Sequence, residues 1–365
     1  MKQTDDFEDN SGGLPIMAMA LGVSFFVLVI LAVVILANKD NSKKNKTPAV
    51  TTSVEESAPL KDDETGTAIG NSKLTADDLD IWDMYPQTEE ETQEKSSEKK
   101  EAETETSTGD PLDDGKHILI TYQDGSDEWV QINPYWDKNT YDFTNLVSNN
   151  GKLKYYSDGK KISYLGVDIS RYQKDVDFSS LKADGIEYVM IRLGARGYKT
   201  GALQLDEYFA ANLQGAKDAG LDIGIYFYSQ AVSVVEAQEE ADLVIANLKD
   251  QKITYPVAFD MEFVENDTSR VETLSKDERT AISIAFLSKI QAAGYIPMLY
   301  GNTEWLMKRV DLSKMTDYCV WLSEEADIPK YPYTYEMWQY TKQGTVNGIE
   351  GFADLNISFV DYTAR

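Results

Sequence analysis

The chain has 365 residues, with 62 Asp plus Glu against 35 Lys plus Arg and a formal net charge of −27. That balance argues against a nucleic-acid binder, whose affinity rests on clustered cations. A single His (His117) and a single Cys (Cys319) exclude an HExxH zinc site, a two-histidine metal centre and an intrachain disulfide. If the chain is an enzyme, carboxylates are its acid–base groups, and no metal or cofactor is implied.

After a short acidic tail (1–13), Leu14 to Ala37 runs without a charge. At 1.5 Å per residue a helix over 14–37 spans about 36 Å, enough to cross a hydrocarbon core of about 30 Å. The run exceeds a signal-peptide core and lacks a clear A-x-A site, so a single transmembrane helix is predicted. Its flanks are contradictory. The first ten residues are acidic, whereas Lys39, Lys43, Lys44 and Lys46 come after the span. The positive-inside rule would keep the lysine side in the cytoplasm, although long domains are translocated largely regardless of charge. Residues 38–112 are rich in Glu, Lys, Ser and Thr and hold only Trp82 and Tyr85 as aromatics. Such a composition cannot offset chain entropy, which predicts a disordered acidic tether with a coil span of about 50 Å.

From Asp113 the texture changes. Two β-rich runs flank Asp124-Gly125, and a second Asp-Gly pair stands at 158–159. This predicts a small β-rich module over 113–163, too small for a rich core and therefore packed on the segment from Tyr164 onward. From Tyr164 to the end, short apolar runs alternate with helical patterns. Strands are predicted at 164–170, 188–194, 222–229, 255–262, 296–302, 318–324, 335–341 and 352–359. Helices are predicted at 176–184, 205–219, 234–250, 275–293 and 303–316. Apolar strands separated by helices imply a parallel sheet. Eight of them in about 200 residues imply an α/β fold closed as an irregular (β/α) barrel with fewer helices than strands.

In such a barrel, chemistry gathers at the C-terminal strand ends. Asp168 lies near the end of the first strand, Asp260 and Glu262 end the fourth, and Asp354 sits in the last. Acids are poor strand residues, and their charges are costly to bury. Asp260 and Glu262, two residues apart, share one strand face at roughly 6.6 Å. Neighbouring carboxylates cannot both ionise freely, which creates the asymmetry between acid and anion that a glycosidase uses. Tyr226, Tyr228, Tyr300, Trp321, Trp338 and Tyr340 fall near the same ends and are candidates for stacking on sugar rings. Arg192, in an apolar strand, calls for a partner such as Asp168 or Asp206.

The succession GVDISRYQKDVDFSSLK, YVMIRLGARGY, DIGIYFYSQA, YPVAFDME, GYIPMLYGN, MWQYT and ADLN resembles glycoside hydrolase family 25, the muramidase-type lysozymes, over about residues 162–362. The resemblance implies an eight-stranded barrel that hydrolyses the β-1,4 bond between N-acetylmuramic acid and N-acetylglucosamine. It implies Glu262 as general acid and Asp260 as the group that stabilises the N-acetyl group or the oxocarbenium-like state. Asp168 and Asp354 match the family's other groove acids, and Tyr228 a groove tyrosine. WLSEEAD (321–327) departs from the Trp-x-Ala-x-Tyr pattern common there. The implied partner is the peptidoglycan glycan strand. Because that substrate lies outside the cytoplasmic membrane, residues 38–365 are expected on the outer face of a Gram-positive-type cell, anchored through 14–37. Two alternatives stand beside this. One is a wall-binding or scaffolding protein without turnover; the other is a chitinase-like carbohydrase, although its longer D-x-x-D-x-D-x-E run is missing. The stereochemical course stays open between nucleophilic, water-activated and substrate-assisted routes.

Overall fold

A computed structural model describes residues 110–122, 125–264 and 267–365. The expected tail and membrane span, and the tether up to position 109, lie outside the described residues. Among the described residues, no helix is long and apolar enough to cross a membrane.

The first strands are β1 (His117–Thr121), β2 (Asp127–Gln131), β3 (Leu146–Asn149), β4 (Lys152–Ser157) and β5 (Lys160–Lys161). β1 and β2 form an antiparallel hairpin, and β3, β4 and β5 a small antiparallel sheet. Asp158 and Gly159 both take positive φ (51° and 75°), the conformation that a two-residue hairpin turn requires. Asn150 and Gly151 do the same between β3 and β4 (51° and 72°), a turn not singled out in the sequence. These strands lend their side chains to a larger core. Tyr155 is buried among the barrel's outer-face residues. Tyr141 stacks on Phe359 at 4.1 Å and donates to the Tyr335 carbonyl at 2.9 Å.

The barrel strands come next as β6 (Tyr164–Ile169), β7 (Tyr188–Arg196), β9 (Asp222–Ser229), β10 (Val257–Met261), β11 (Pro297–Asn302), β12 (Cys319–Ser323), β13 (Met337–Gly344) and β14 (Ala353–Ser358). They pair in the order β6-β14-β13-β12-β11-β10-β9-β7, and β6 pairs with β7 to close the ring. The short β8 (Leu203–Leu205) folds back on the end of β7. The expected eight-stranded closure is therefore present. One expectation needs correction: the sheet is not wholly parallel. β14 runs antiparallel to both β13 and β6. The link between β13 and β14, residues 345–352, is eight residues long, shorter than the dozen or so that a parallel crossover needs, so β14 returns in the opposite direction.

Among the described residues, four helices flank the barrel: α1 (Phe178–Ala183), α2 (Phe209–Asp218), α3 (Val234–Leu248) and α4 (Lys276–Ala292). Ser233 caps α3, and Ser275 with Glu278 forms a reciprocal capping box on α4. The helix expected at 303–316 is instead a π turn (Trp305–Arg309) and a 3-10 turn (Leu312–Lys314). Val310 is extended between them. Asp311 caps the second turn with its side chain, and its backbone N–H donates to Thr280 Oγ1 at 2.8 Å. A β-branched residue next to a competing cap ends the helical run.

Strand alternation gives the barrel two faces. Val257, Phe259, Leu299, Leu322 and Ile357 point outward into the layer covered by helices. Tyr188, Met190, Ala258, Met298, Trp321 and Met337 fill the interior. Gly166 is required where β6 meets this plug, since a Cβ there would lie 2.3 Å from the Tyr188 ring.

Candidate active site

The interior layer above the plug is polar. Strand parity brings Asp168, Asp260, Tyr300, Gln339 and Asn356 inward from five strands at one end of the barrel. Because β14 is reversed, Asp354 reaches this end from the start of its strand. It stands directly opposite Asp168 in the pairing of β14 with β6. Asp260 pairs in register with Tyr228 on one side and Tyr300 on the other. Glu262 comes one residue after β10 and is half-buried, whereas Asp260 is only 4% exposed. The four acids expected at the mouth are thus brought together.

They interact as two pairs. Asp260 and Glu262 lie close enough that the charge of one acts on the other. Burial first, then the charge of Glu262, pushes the Asp260 pKa well above the usual carboxylate range. One oxygen of Asp260, Oδ1, is buried with no hydrogen-bond partner among the described residues. Asp168 and Asp354 face each other as register partners. Burial raises both, and for Asp354 the charge of Asp168 adds to it. Arg192, a cation that acts on Asp260, is committed elsewhere. Its Nε donates to Asp206 Oδ2 at 2.8 Å, and both side chains are buried. Of the two partners expected for Arg192, the structure selects Asp206.

The aromatics divide. Tyr226, Tyr228, Tyr300 and Trp321 come from strands at the mouth but sit low in it. Trp321 meets Tyr300 edge-on at 4.8 Å and Tyr226 at 6.2 Å. Trp321 and Tyr300 are 2% and 4% exposed, so they pack into the barrel interior beside the acids and do not line an open groove. Trp338 and Tyr340 require a correction, because they face away from the mouth. On β13 the inward positions are Met337 and Gln339, so 338 and 340 point outward. Trp338 Nε1 donates to the Glu324 carbonyl at 2.8 Å, and Tyr340 Oη donates to the Gly151 carbonyl at 3.0 Å. Their rings pack under the N-terminal strands.

Sequence reasoning missed the amides. Gln339 donates to Asp168 at 2.9 Å and to Asp354 at 3.4 Å, and Asn356 donates to Asp168 at 2.7 Å. Gln230, fully buried, donates to the Glu262 carbonyl at 2.9 Å and to Tyr228 Oη at 3.2 Å. The available signal was a polar residue at an inward position of an apolar strand, as in MWQYT and DLNIS. Among the described residues, no cluster of three His, Cys, Asp or Glu side chains is placed to hold a metal ion.

Fold and site together define a β/α-barrel protein with a carboxylate-lined mouth. The chain belongs to glycosyl hydrolases family 25, whose family model matches residues 167–349. It is 28% identical over 192 residues to the autolytic lysozyme of Clostridium acetobutylicum, covering 52% of this chain and 54% of that protein. It is 22% identical over 201 residues to lysozyme M1 of Streptomyces globisporus, covering 52% and 66%. A solved family 25 glycosyl hydrolase from Bacillus anthracis matches with a TM-score of 0.47 at 22% identity, over 57% of this chain and 93% of that one. The chain spans about half the length of the Clostridium relative.

Proposed function

We propose that this protein is a membrane-tethered muramidase that cleaves the β-1,4 bond between N-acetylmuramic acid and N-acetylglucosamine in peptidoglycan. The observation that carries the reading is the convergence of Asp168, Asp260, Glu262 and Asp354 on one mouth, where Asp354 stands opposite Asp168 and where burial and a neighbouring carboxylate's charge push Asp260 and Asp354 well above the usual carboxylate range. In this mechanism Glu262, the more exposed member of its pair, gives a proton to the leaving glycosidic oxygen. Asp260, deeper and beside Glu262, stabilises the positive character that develops at the substrate's acetamido group or ring; that positive character favours the charged form of Asp260, which burial and the charge of Glu262 disfavour in the free mouth. Lysozymes among the relatives support the substrate class.

The tether reading rests on the uncharged run at 14–37 and the acidic stretch after it. With the barrel outside the cell, a coil of about 50 Å lets it reach the inner face of the wall. Protease shaving of intact cells should remove the barrel; protection of the barrel would place it on the wrong side for this substrate.

The deciding experiment is mass spectrometry of fragments released from purified peptidoglycan. Muramic-acid reducing ends are expected. Glu262→Gln should lower turnover by about 10²–10⁴-fold while the circular dichroism spectrum is kept. Full turnover in that variant overturns the assignment. Binding without turnover by the unaltered chain would favour a scaffolding role instead, and hydrolysis of added chitin oligomers but not of peptidoglycan would favour a chitinase.

A further inference from the structure

Gln339 stands at the centre of the mouth with both ends of its amide engaged. Its Oε1 accepts from Tyr300 Oη at 2.9 Å and from Ser323 Oγ at 2.8 Å. This turns Nε2 toward the acids, 2.9 Å from Asp168 Oδ2 and 3.4 Å from Asp354 Oδ2. Asn356 repeats the device from β14. Trp321 Nε1 can only donate, and at 2.8 Å it fixes Asn356 Oδ1 as the acceptor. Asn356 Nδ2 therefore points at Asp168 Oδ2, 2.7 Å away. Two N–H donors thus meet on one oxygen of Asp168, while Asp354 receives only the longer contact. The two acids stand opposite each other across an antiparallel pairing, where two buried carboxyls cannot both ionise freely.

We infer that Gln339 is a positioning residue that orders this pair, holding Asp168 as the anion and leaving the proton on Asp354. Donated N–H groups favour the charged form of a carboxyl, and here they are concentrated on one partner. The other groups around Asp168 do not impose that order. Arg192 on β7 is held by Asp206, and Tyr188 on β7, Tyr226 on β9 and Tyr300 on β11 are phenols kept neutral by burial. Asp260 on β10 is itself pushed toward the neutral form by burial and by the charge of Glu262. Lys342 on β13 favours the charged form of both acids. The inference rests on the muramidase reading for its use: a fixed anion and a fixed acid beside the Asp260–Glu262 pair keep the mouth from accumulating four charges.

The test uses the full-length chain in detergent, with ¹³C-labelled Asp carboxyl carbons observed by NMR across pH. Asp168→Asn and Asp354→Asn assign the two signals. Asp168 is expected to titrate at lower pH than Asp354. Gln339→Glu keeps the acceptor oxygen for Tyr300 and Ser323 but removes the N–H donors, and Gln339→Met removes both. In each variant the Asp168 midpoint is expected to rise by about one pH unit or more. The acidic limb of kcat/KM on peptidoglycan should move in the same direction. Asp354 titrating below Asp168 in the unaltered chain overturns the inference even if neither variant folds. An unmoved Asp168 midpoint, or a loss of turnover that is uniform across pH, also overturns it. Failure of the muramidase reading shows separately, as no turnover by the unaltered chain at any pH, while the carboxyl titration still decides the order of the pair.

Discussion

Strands β7 and β9 bury acids on both of their faces, and the two faces treat them differently. Toward α3, Arg196 is 4% exposed and reaches Glu240 at 2.7 Å, Glu239 at 3.1 Å and the carbonyls of Gly201 and Glu236 at 2.8 and 2.9 Å. Ser229 Oγ donates to the other oxygen of Glu240 at 2.7 Å. Arg270 grips Glu236 with two contacts of 2.8 and 3.1 Å. Inside the barrel the acids face other acids. Burial alone therefore does not mark the functional face, because Glu240 is as deeply buried as any acid in the mouth. The mark is a buried carboxyl set against another carboxyl, as Asp168 is against Asp354 and Asp260 against Glu262. Even with Arg196 beside it, burial pushes Glu240 up to about 7; Asp260 and Asp354, each raised further by a neighbouring carboxylate's charge, are pushed well above the usual range.

This contrast is breakable, and the largest expected effect is on the outer face. Arg196→Met leaves Glu240 buried with only Ser229 and removes the tie to Gly201. Stripping one partner from a buried ion pair costs about 3–5 kcal/mol. Urea unfolding should show that loss, and adding Glu240→Leu should recover a large part of it. A loss below about 1 kcal/mol would mean that the outer face is no better paired than the mouth.

The mouth should respond with the opposite sign. Asp260 has a raised pKa in the folded state. Its contribution to stability is complete below about pH 4, where the unfolded side chain is protonated too, and is lost as pH rises through the elevated folded value. At pH 7 the fold therefore carries a cost that Asn does not. Asp260→Asn is expected to raise stability at pH 7 by about 1–2 kcal/mol while turnover falls. Below pH 4 the gain should vanish. A variant less stable than the parent at pH 7 would show that the Asp260 carboxyl is well accommodated as an anion.

The difference between the faces also governs what could be read beforehand. The eight barrel strands were legible because each is a short apolar run bounded by turn or cap residues, and the acids were legible because they interrupt such runs. Trp338 and Tyr340 misled because an aromatic near a strand end gives no parity, and parity is fixed only once Met337 and Gln339 are seen to point inward. The reversal of β14 left no trace in ADLNIS, since an apolar strand reads alike in either direction. Gln230, Gln339 and Asn356 carry no charge signature, so they become visible only through their partners. The Arg196–Glu240 pair joins residues 44 positions apart, across a contact that no local pattern announces.

The smallest expected effect lies where the two faces meet. Arg270 donates to the Gln230 carbonyl at 3.0 Å as well as to Glu236, and Gln230 in turn holds the Glu262 carbonyl. The outer ion network thus supports the backbone that presents the proposed general acid. Arg270→Lys keeps the charge but loses the planar fork that serves both partners at once. The pair with Glu236 is only half-buried, so the expected cost in unfolding free energy is about 0.5–1 kcal/mol. Turnover should fall by more than so small a loss of stability explains, because a displacement of Glu262 acts directly on proton transfer. The fall should appear in kcat with KM nearly unchanged, since no substrate contact is removed. Unfolding and steady-state kinetics on the same preparation separate the two quantities. If kcat holds while stability drops, the outer network acts only as scaffold, and the link through Gln230 carries no catalytic information.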